Sequence, residues 1–236
     1  MKTLSIIFPC FNEAKSIPFI FDELEKKVLR DDIEIIFIDN GSTDNTKYLL
    51  EKLTANHDFA RMFSLQENKG YGYGIQYGLD RATAKYVGWM HADLQTKPMD
   101  LITALNILEN NNSIDYVKGL RKGRSFTDLI FTYSMSIIES ILFGTVLFDI
   151  NAQPNIFDRR LLDLCKHPPS DFSFDLYYYY QAIKQGFRIH RFPVTFESRL
   201  FGTSHWNISY KSKLKFIIKT INYSISFRIR LLFKKD

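Results

Sequence analysis

The residues best suited to do chemistry are His91, Asp93 and Gln95, which follow an apolar run ending at Met90. Alternate residues of an extended chain point to the same side, so we expect these three side chains to face one ligand. A carboxylate at the tip of a strand is typical of a site where a divalent cation holds a phosphate. The alternative is a strand end followed by an ordinary polar loop, because short motifs also arise by chance.

Alternating strand-like and helix-like segments would position this tip. Apolar runs predict strands over residues 4–8, 33–38, 61–65 and 86–90, with a further short strand at 116–117. Helical spacing predicts helices over 16–29, 43–53 and 74–82, and Pro98 suits the first turn of another. This alternation predicts an α/β fold, in which helices cover both faces of a mostly parallel sheet.

Polar residues follow four of these strands. They form the segments 9–13, 39–44, 68–70 and 91–93. Ligands of parallel sheets bind beyond the carboxyl ends of the strands. Each segment alone could be an ordinary turn or a helix cap, but four together predict a binding site at one edge of the sheet.

Composition limits the class of protein. The 236 residues are 45% hydrophobic, enough for a sizeable core, and the two cysteines, Cys10 and Cys165, have neither disulfide-framework nor metal-site spacing. The apolar start at Leu4 is too short for a signal peptide, so we expect a cytoplasmic protein. Of the 31 basic and 26 acidic residues, eight basic and one acidic lie in 211–236, which leaves 23 and 25 before it. The main body is therefore not expected to bind nucleic acid.

Two segments predict contact with a membrane surface. Residues 129–148 are largely apolar with a single charge, Glu139, and Thr132, Ser136, Glu139 and Ser140 recur at helical spacing. This polar stripe favours a helix in the interface over one that spans. In the tail, cations flank an apolar face of Leu214, Ile218, Ile221, Ile225, Ile229 and Leu232, as expected for contact with anionic headgroups. The alternative for the tail is a basic helix packed on its own domain or on a second subunit.

The strand-end segments resemble those of the family 2 glycosyltransferases with the GT-A fold. The similar pieces are 7–13, 39–44, 68–70 and 92–95 with Pro98. The second half is similar, through 186–189, 193–194 and 199–205, to the polyprenyl-phosphate sugar transferase branch. The resemblance implies a GT-A domain over 1–210, with a nucleotide-binding half to about 120 and an acceptor half over 121–210, and a membrane-facing amphipathic tail over 211–236.

The resemblance also implies roles for residues. The nucleotide-sugar site would include Pro9, Phe11, Glu13, Asp39, Asn68, Gly70, His91 and Ala92, with Asp39 accepting from the base. Asp93 would ligate Mg²⁺ or Mn²⁺ bridging the diphosphate, with Gln95 and His91 beside it. The family usually has an aspartate where this chain has His91. Imidazole is a poor ligand for Mg²⁺, so either Asp93 is the one strong anionic ligand, Mn²⁺ is favoured, or His91 binds the ribose or a phosphate.

The implied activity is inverting transfer of a sugar from a UDP- or GDP-sugar to a lipid-linked acceptor, most simply polyprenyl phosphate, by a peripheral enzyme on the inner face of the membrane. An ionised phosphate acceptor needs only positioning and charge screening, for which the candidates are Arg121, Arg199, Ser204 and His205. A sugar hydroxyl of a surface glycan needs a general base, for which the candidate is Asp175. A non-catalytic nucleotide-sugar-binding scaffold is a third hypothesis, and a homo-oligomer is left open.

Overall fold

A computed structural model describes residues 2–27, 30–201 and 210–233. These residues form one seven-stranded sheet and eight helices. The strands are β1 (Leu4–Cys10), β2 (Ile33–Asn40), β3 (Ala60–Leu65), β4 (Tyr86–Trp89), β5 (Tyr116–Lys122), β6 (Asn155–Asp158) and β7 (Ile189–Thr195). The helices are α1 (Ile17–Lys27), α2 (Thr46–Thr54), α3 (Tyr71–Leu79), α4 (Met99–Asn110), α5 (Phe126–Phe143), α6 (Arg160–Leu164), α7 (Phe174–Lys184) and α8 (Tyr210–Phe233).

The sheet has the order β3-β2-β1-β4-β6-β5-β7, and β6 is antiparallel to both of its neighbours. The inner strands are apolar on both faces because each face carries a layer of helices, as in other parallel sheets. Side chains of α1, α2 and α4 pack in the core on one face, and side chains of α3, α5, α7 and α8 pack on the other. The predicted α/β fold with a mostly parallel sheet is confirmed.

This topology brings the polar strand ends together. Strands β3, β2, β1 and β4 are adjacent and parallel, so their carboxyl ends lie along one edge. Gly78 lets α3 approach that part of the sheet closely, because a Cβ there would lie 2.6 Å from Cγ1 of Ile7. The predicted convergence of the four segments is thus a property of the fold.

The polar stripe of α5 faces the protein interior. Thr132, Ser136 and Glu139 are buried, whereas Ile137 and Ile141 on the opposite side are 59% and 77% exposed. By length and composition alone, α5 is the one helix among the described residues that could cross a membrane. A helix that turns its polar side inward and its apolar side outward is the reverse of an ordinary surface helix.

Helix α8 packs on its own domain through one face and leaves the predicted apolar face outside. Phe227 inserts among Phe143, Tyr177 and Tyr180, and Ser224 Oγ donates to Glu139 Oε1 at 2.9 Å. Much of the other face is exposed, at Leu214, Ile218, Ile225, Ile229 and Leu232. Helix α8 therefore packs on its own domain and also presents an exposed apolar face.

Glu139 makes stability depend on pH. Burial raises its pKa to about 7, and the hydrogen bond from Ser224 opposes that shift only in part. The unfolded chain loses this proton near pH 4.5, so folding becomes less favourable as pH rises from there towards 7. We expect Glu139→Gln to melt at a higher temperature than wild type at pH 8, by a few degrees at about 2–4 °C per kcal/mol, with the gain shrinking towards pH 4.5.

Thermal unfolding followed by circular dichroism between pH 4.5 and pH 8 measures this difference. The matched control is Glu51→Gln on α2, whose side chain is 54% exposed, and its difference from wild type is expected to stay small at every pH. A Glu139→Gln variant that lost stability equally at both ends of the range would contradict the expectation.

Candidate active site

The first two strand-end loops are tied to each other by hydrogen bonds. Asn12 Oδ1 accepts from the backbone N–H of Thr43 at 2.8 Å, and its own N–H donates to Ser42 Oγ at 3.0 Å. The N–H of Glu13 donates to Thr46 Oγ1 at 2.8 Å. Because these bonds join residues about 30 positions apart, the loops after β1 and β2 form one unit at the nucleoside end of the predicted site.

Asp39 lies at the base of this unit. Its Oδ1 accepts from the N–H of Ser42 at 3.0 Å, and its Oδ2 accepts from Ser64 Oγ at 2.8 Å. The carboxylate is buried, whereas Pro9 and Phe11 are partly exposed. Each carboxylate oxygen has a further lone pair, so these two bonds orient Asp39 and leave it able to accept from a base.

The third loop is fixed by two asparagines. Asn40 Nδ2 donates to the carbonyl of Gly70 at 2.9 Å, and Asn68 Oδ1 accepts from the N–H of Gly70 at 2.9 Å. Gly70 has φ +101°, and a Cβ there would lie 2.3 Å from the carbonyl oxygen of Ser170. Only glycine fits this position, which brings the loop after β3 against the segment that precedes α7.

The segment after β4 does not follow the extended path that the alternation of His91, Asp93 and Gln95 assumed. Strand β4 ends at Trp89, and Leu94 has φ +58°, so the chain turns through these residues. His91 stacks on Tyr71 with ring centroids 5.2 Å apart, and Gln95 Nε2 donates to the carbonyl of Glu197 at 3.1 Å. The extended path expected for these residues was therefore wrong, and a ligand shared by the three side chains stays a prediction. Ala92 between them is buried.

Asp93 forms an ion pair with Arg199, which lies in the loop after β7. Arg199 Nη2 lies 2.9 Å from Asp93 Oδ2 and 3.9 Å from Glu13 Oε1. Arg199 Nε is buried without a hydrogen-bond partner in the part of the chain that the structure describes. Burial raises the pKa of Glu13 to about 7, against the opposite effect of Arg199. The site thus brings together two carboxyl groups, of which Glu13 has a raised pKa, and a guanidinium whose Nε remains available as a donor.

The donors around Asp93 fit a metal that is shared with substrate. Among the described residues, no group of three His, Cys, Asp or Glu side chains is arranged to hold an ion. Mg²⁺ is usually held by one or two carboxylates together with substrate phosphates, and it keeps several waters. One carboxylate at a strand end, with His91 and Gln95 in the same turn, matches that pattern and does not form a closed protein cage.

Asp175, in the first turn of α7, accepts hydrogen bonds from several other side chains. Its Oδ1 accepts from Trp89 Nε1 at 3.1 Å, Gln153 Nε2 at 2.9 Å and Asn155 Nδ2 at 3.1 Å. The residue is 1% exposed. Burial, with the charge of Asp175, raises the pKa of the neighbouring Tyr71 well above its usual value. A carboxylate oxygen that already accepts three hydrogen bonds has no lone pair left for a further donor.

Lys118 is the cation of this buried network. Its Nζ donates to Asn155 Oδ1 at 2.7 Å and to the carbonyl of Ala152 at 2.9 Å. Burial lowers its pKa to about 7, and the charge of Asp175 opposes that shift. Lys118, Gln153 and Asn155 were not identified from the sequence. The one available signal was the polar pair Gln153 and Asn155 at the start of an apolar strand.

Arg121, a candidate for binding the acceptor phosphate, lies in a strand and is already paired with an acid. Strand β5 continues to Lys122, and Arg121 lies in it with a side chain that is 12% exposed. Its Nε donates to Asp149 Oδ1 at 2.7 Å, and its backbone N–H donates to Oδ2 at 2.9 Å. A phosphate would have to compete with Asp149 for this guanidinium. The predicted acceptor residues Ser204 and His205 lie outside the described residues.

Known proteins are similar to this chain in sequence and in fold. Residues 5–157 match the family model for glycosyl transferase family 2. The chain is 24% identical over 233 residues to dodecaprenyl-phosphate galacturonate synthase of Rhizobium johnstonii, covering 96% of this chain and 68% of that protein. It is 26% identical over 175 residues to undecaprenyl-phosphate 4-deoxy-4-formamido-L-arabinose transferase of Yersinia pestis, covering 71% of this chain and 52% of that protein. The chain therefore spans about half of the Yersinia protein.

The structural comparison gives the same fold class. Glucosyl-3-phosphoglycerate synthase from Mycobacterium tuberculosis, solved with Mn²⁺, UDP-glucose and phosphoglyceric acid, superposes with a TM-score of 0.74 at 18% identity. The match covers 96% of this chain and 79% of that one. Together with the strand-end geometry and the family match over residues 5–157, this establishes that the chain belongs to glycosyl transferase family 2.

Proposed function

We propose that this glycosyltransferase moves a sugar from a nucleoside diphosphate donor to a polyprenyl phosphate at a membrane surface. The choice of acceptor rests on the surroundings of Asp175, the candidate base. This residue is buried, and its Oδ1 already accepts three hydrogen bonds. A phosphate acceptor is ionised and needs no base. The names of the rhizobial and Yersinia relatives, which include dodecaprenyl phosphate and undecaprenyl phosphate, support the same acceptor class.

The donor is proposed to lie across the joined strand-end loops. Pro9, Phe11 and Asp39 would hold the nucleoside, and the diphosphate would lie beside the Asp93–Arg199 ion pair, where the unpaired Arg199 Nε can donate to a phosphate oxygen. A divalent cation bound by Asp93 and the phosphate oxygens would neutralise charge on the leaving diphosphate. The Mn²⁺ and UDP-glucose in the mycobacterial structure support this arrangement.

The proposed transfer breaks the bond between the anomeric carbon and the diphosphate oxygen, and the electron pair stays on that oxygen. An ionised oxygen of the polyprenyl phosphate forms the new bond on the opposite face of the sugar. No proton leaves the acceptor. The outward apolar faces of α5 and α8 support placing this reaction at a membrane, because a lipid-linked acceptor is presented there.

Asp175→Asn separates the two acceptor classes. The asparagine Oδ1 can still accept from Trp89, Gln153 and Asn155, so we expect transfer to polyprenyl phosphate to stay within about threefold of wild type. A general base contributes about 10²–10⁴-fold, and a loss of that size with the fold intact would indicate a hydroxyl acceptor instead.

The assay uses radiolabelled UDP- and GDP-sugars with native membranes, followed by organic extraction. Label in the lipid phase that mild acid releases is expected for a sugar phosphate. Label that stays in acid-stable glycan would contradict the proposal. Circular dichroism of the Asp175→Asn protein reports whether its fold is retained.

A further inference from the structure

A pocket lies away from the sheet edge, between α7, α8 and the segment 164–169. We call it the α7–α8 pocket. Its volume is about 610 Å³, and residues such as Tyr177, Gln181 and Phe227 line it. Gln181 is six residues beyond Asp175 on α7, a distance of about 9 Å along the helix axis. None of the residues that line the pocket belongs to the donor or acceptor site described above.

Two polar groups in this pocket are buried without partners. Gln181 Oε1 and the hydroxyl of Tyr223 have no hydrogen-bond partner in the part of the chain that the structure describes. Gln181 is 8% exposed, so its amide oxygen is well removed from solvent. Leaving buried polar atoms unpaired is costly, and such atoms in a pocket indicate a ligand that supplies hydroxyl donors.

The charge of the pocket indicates that the same ligand is an anion. Lys166, Lys184 and Arg230 line it, and no aspartate or glutamate does. Within the described residues, none of these three cations forms an ion pair with a carboxylate. The guanidinium of Arg230 lies 5.9 Å from the ring centroids of both Tyr223 and Phe227, so one cation is held at the pocket wall. Phosphate esters are the anions that clustered basic side chains bind best.

The position of the pocket indicates where the ligand comes from. Arg230 and Leu231 line it, while Ile229 and Leu232 beside them in the helix are exposed on the apolar face of α8. A lipid that met this face with its chains could present its headgroup to the pocket.

We propose that the α7–α8 pocket binds the headgroup of an anionic glycerophospholipid with free hydroxyls, of the phosphatidylglycerol type. The phosphate pairs with Lys166, Lys184 and Arg230, and the headgroup hydroxyls donate to Gln181 Oε1 and pair with the hydroxyl of Tyr223. A headgroup that carries an ammonium is disfavoured by the same three cations. This inference rests on the membrane contact of α8 proposed above and not on the identity of the sugar acceptor.

The test is flotation of the full chain with vesicles of phosphatidylcholine that contain equal amounts of phosphatidylglycerol or of phosphatidylserine. These two lipids carry the same net charge, so general attraction to an anionic surface affects both alike. Wild type is expected to bind the phosphatidylglycerol vesicles several-fold more tightly. Lys166→Gln with Lys184→Gln is expected to weaken that binding on the order of tenfold and to remove the preference. Lys47→Gln with Lys52→Gln on α2 removes the same charge outside the pocket and is expected to keep the preference.

Gln181→Leu gives an independent reading, because it leaves every charge in place and is expected to reduce the preference for phosphatidylglycerol. Equal binding to both vesicles by wild type, or an unchanged preference in the double lysine variant, would overturn the proposal. Calorimetry with glycerol 1-phosphate distinguishes the source: tight binding of this soluble ester without a vesicle preference would assign the pocket to a free metabolite instead. No sugar donor is present in these measurements, so their failure leaves the proposed transfer reaction standing.

Discussion

Asp93→Asn is expected to lower sugar transfer on the order of 10³-fold while the protein stays folded. Asp93 is the carboxylate that we propose to lie at the diphosphate end of the site, and its Oδ2 lies 2.9 Å from Arg199 Nη2. Asparagine keeps the size of the side chain but removes the charge that, in the proposed reaction, would hold a divalent cation beside the leaving group. The loss arises because the diphosphate then gains negative charge without compensation as the glycosidic bond breaks.

Two measurements check this expectation. Transfer from a labelled donor gives the rate, and calorimetry with UDP or GDP in the presence and absence of Mn²⁺ gives the metal-dependent part of binding, which we expect the variant to lose. The control is Asp80→Asn at the end of α3, an exposed acid outside the site, which is expected to retain normal transfer. A variant of Asp93 that kept a third of wild-type activity would remove Asp93 from the catalytic machinery.

Asp149→Asn is expected to cost about 3–5 kcal/mol of stability, because it leaves buried cations without their counter-charge. Asp149 is 2% exposed and binds Arg121 through side chain and backbone, while Arg191 Nη2 lies 4.0 Å from Oδ2. Asp149 has φ +47°, a conformation that asparagine also tolerates, so the substitution isolates the charge from backbone strain. The melting temperature is expected to fall by roughly 10 °C.

The pH dependence gives this prediction a second check. Although burial by itself raises the pKa of Asp149, the nearby Arg121 holds that pKa below its usual value. The stabilisation is therefore complete above the pKa of the unfolded chain, near 3.9, and is lost as pH falls through the folded value. The gap between wild type and Asp149→Asn is expected to be wide at pH 7 and to close in strong acid.

An exposed pair serves as the control for this stability measurement. Asp22→Asn removes the partner of Lys26 on α1, where the Asp22 side chain is 52% exposed. We expect a change below about 0.5 kcal/mol, since exposed pairs contribute little. If Asp149→Asn behaved like this control, Arg121 would be free to bind a phosphate as first predicted from the sequence.

The order of strands and helices in the first half could be predicted from local pattern. Strands β1 and β2 read as continuous apolar runs because both of their faces are covered, and helices α1 to α3 follow from apolar spacing and loop residues. The end of β4 could not be predicted equally well. The turn that follows it includes Leu94 in a left-handed conformation, which a sequence pattern usually reveals only when the residue is glycine.

Some of the predicted site residues could likewise be placed from local pattern, whereas the surroundings of others depend on the fold. Asp39 is the second-last residue of β2, Asp93 follows the end of β4, and both lie at the common edge, as the parallel topology requires. Arg199 lies beside Asp93 although the two are 106 residues apart. The resemblance predicted that Arg199 binds the acceptor phosphate but did not predict this contact. The direction of the polar stripe on α5 was not evident, because its burial depends on α8 and on Asp149.

The sequence by itself determined the sheet edge and the residue types that gather there, because periodicity and strand-end polarity are local properties of the chain. The tertiary structure alone decided which charges are available. Arg121 is committed to Asp149, 28 residues away, and Asp175 accepts from Trp89, 86 residues away. A charged side chain can bind a ligand only through donors or acceptors that are not already bonded within the protein. Packing between distant segments decides which of them are bonded.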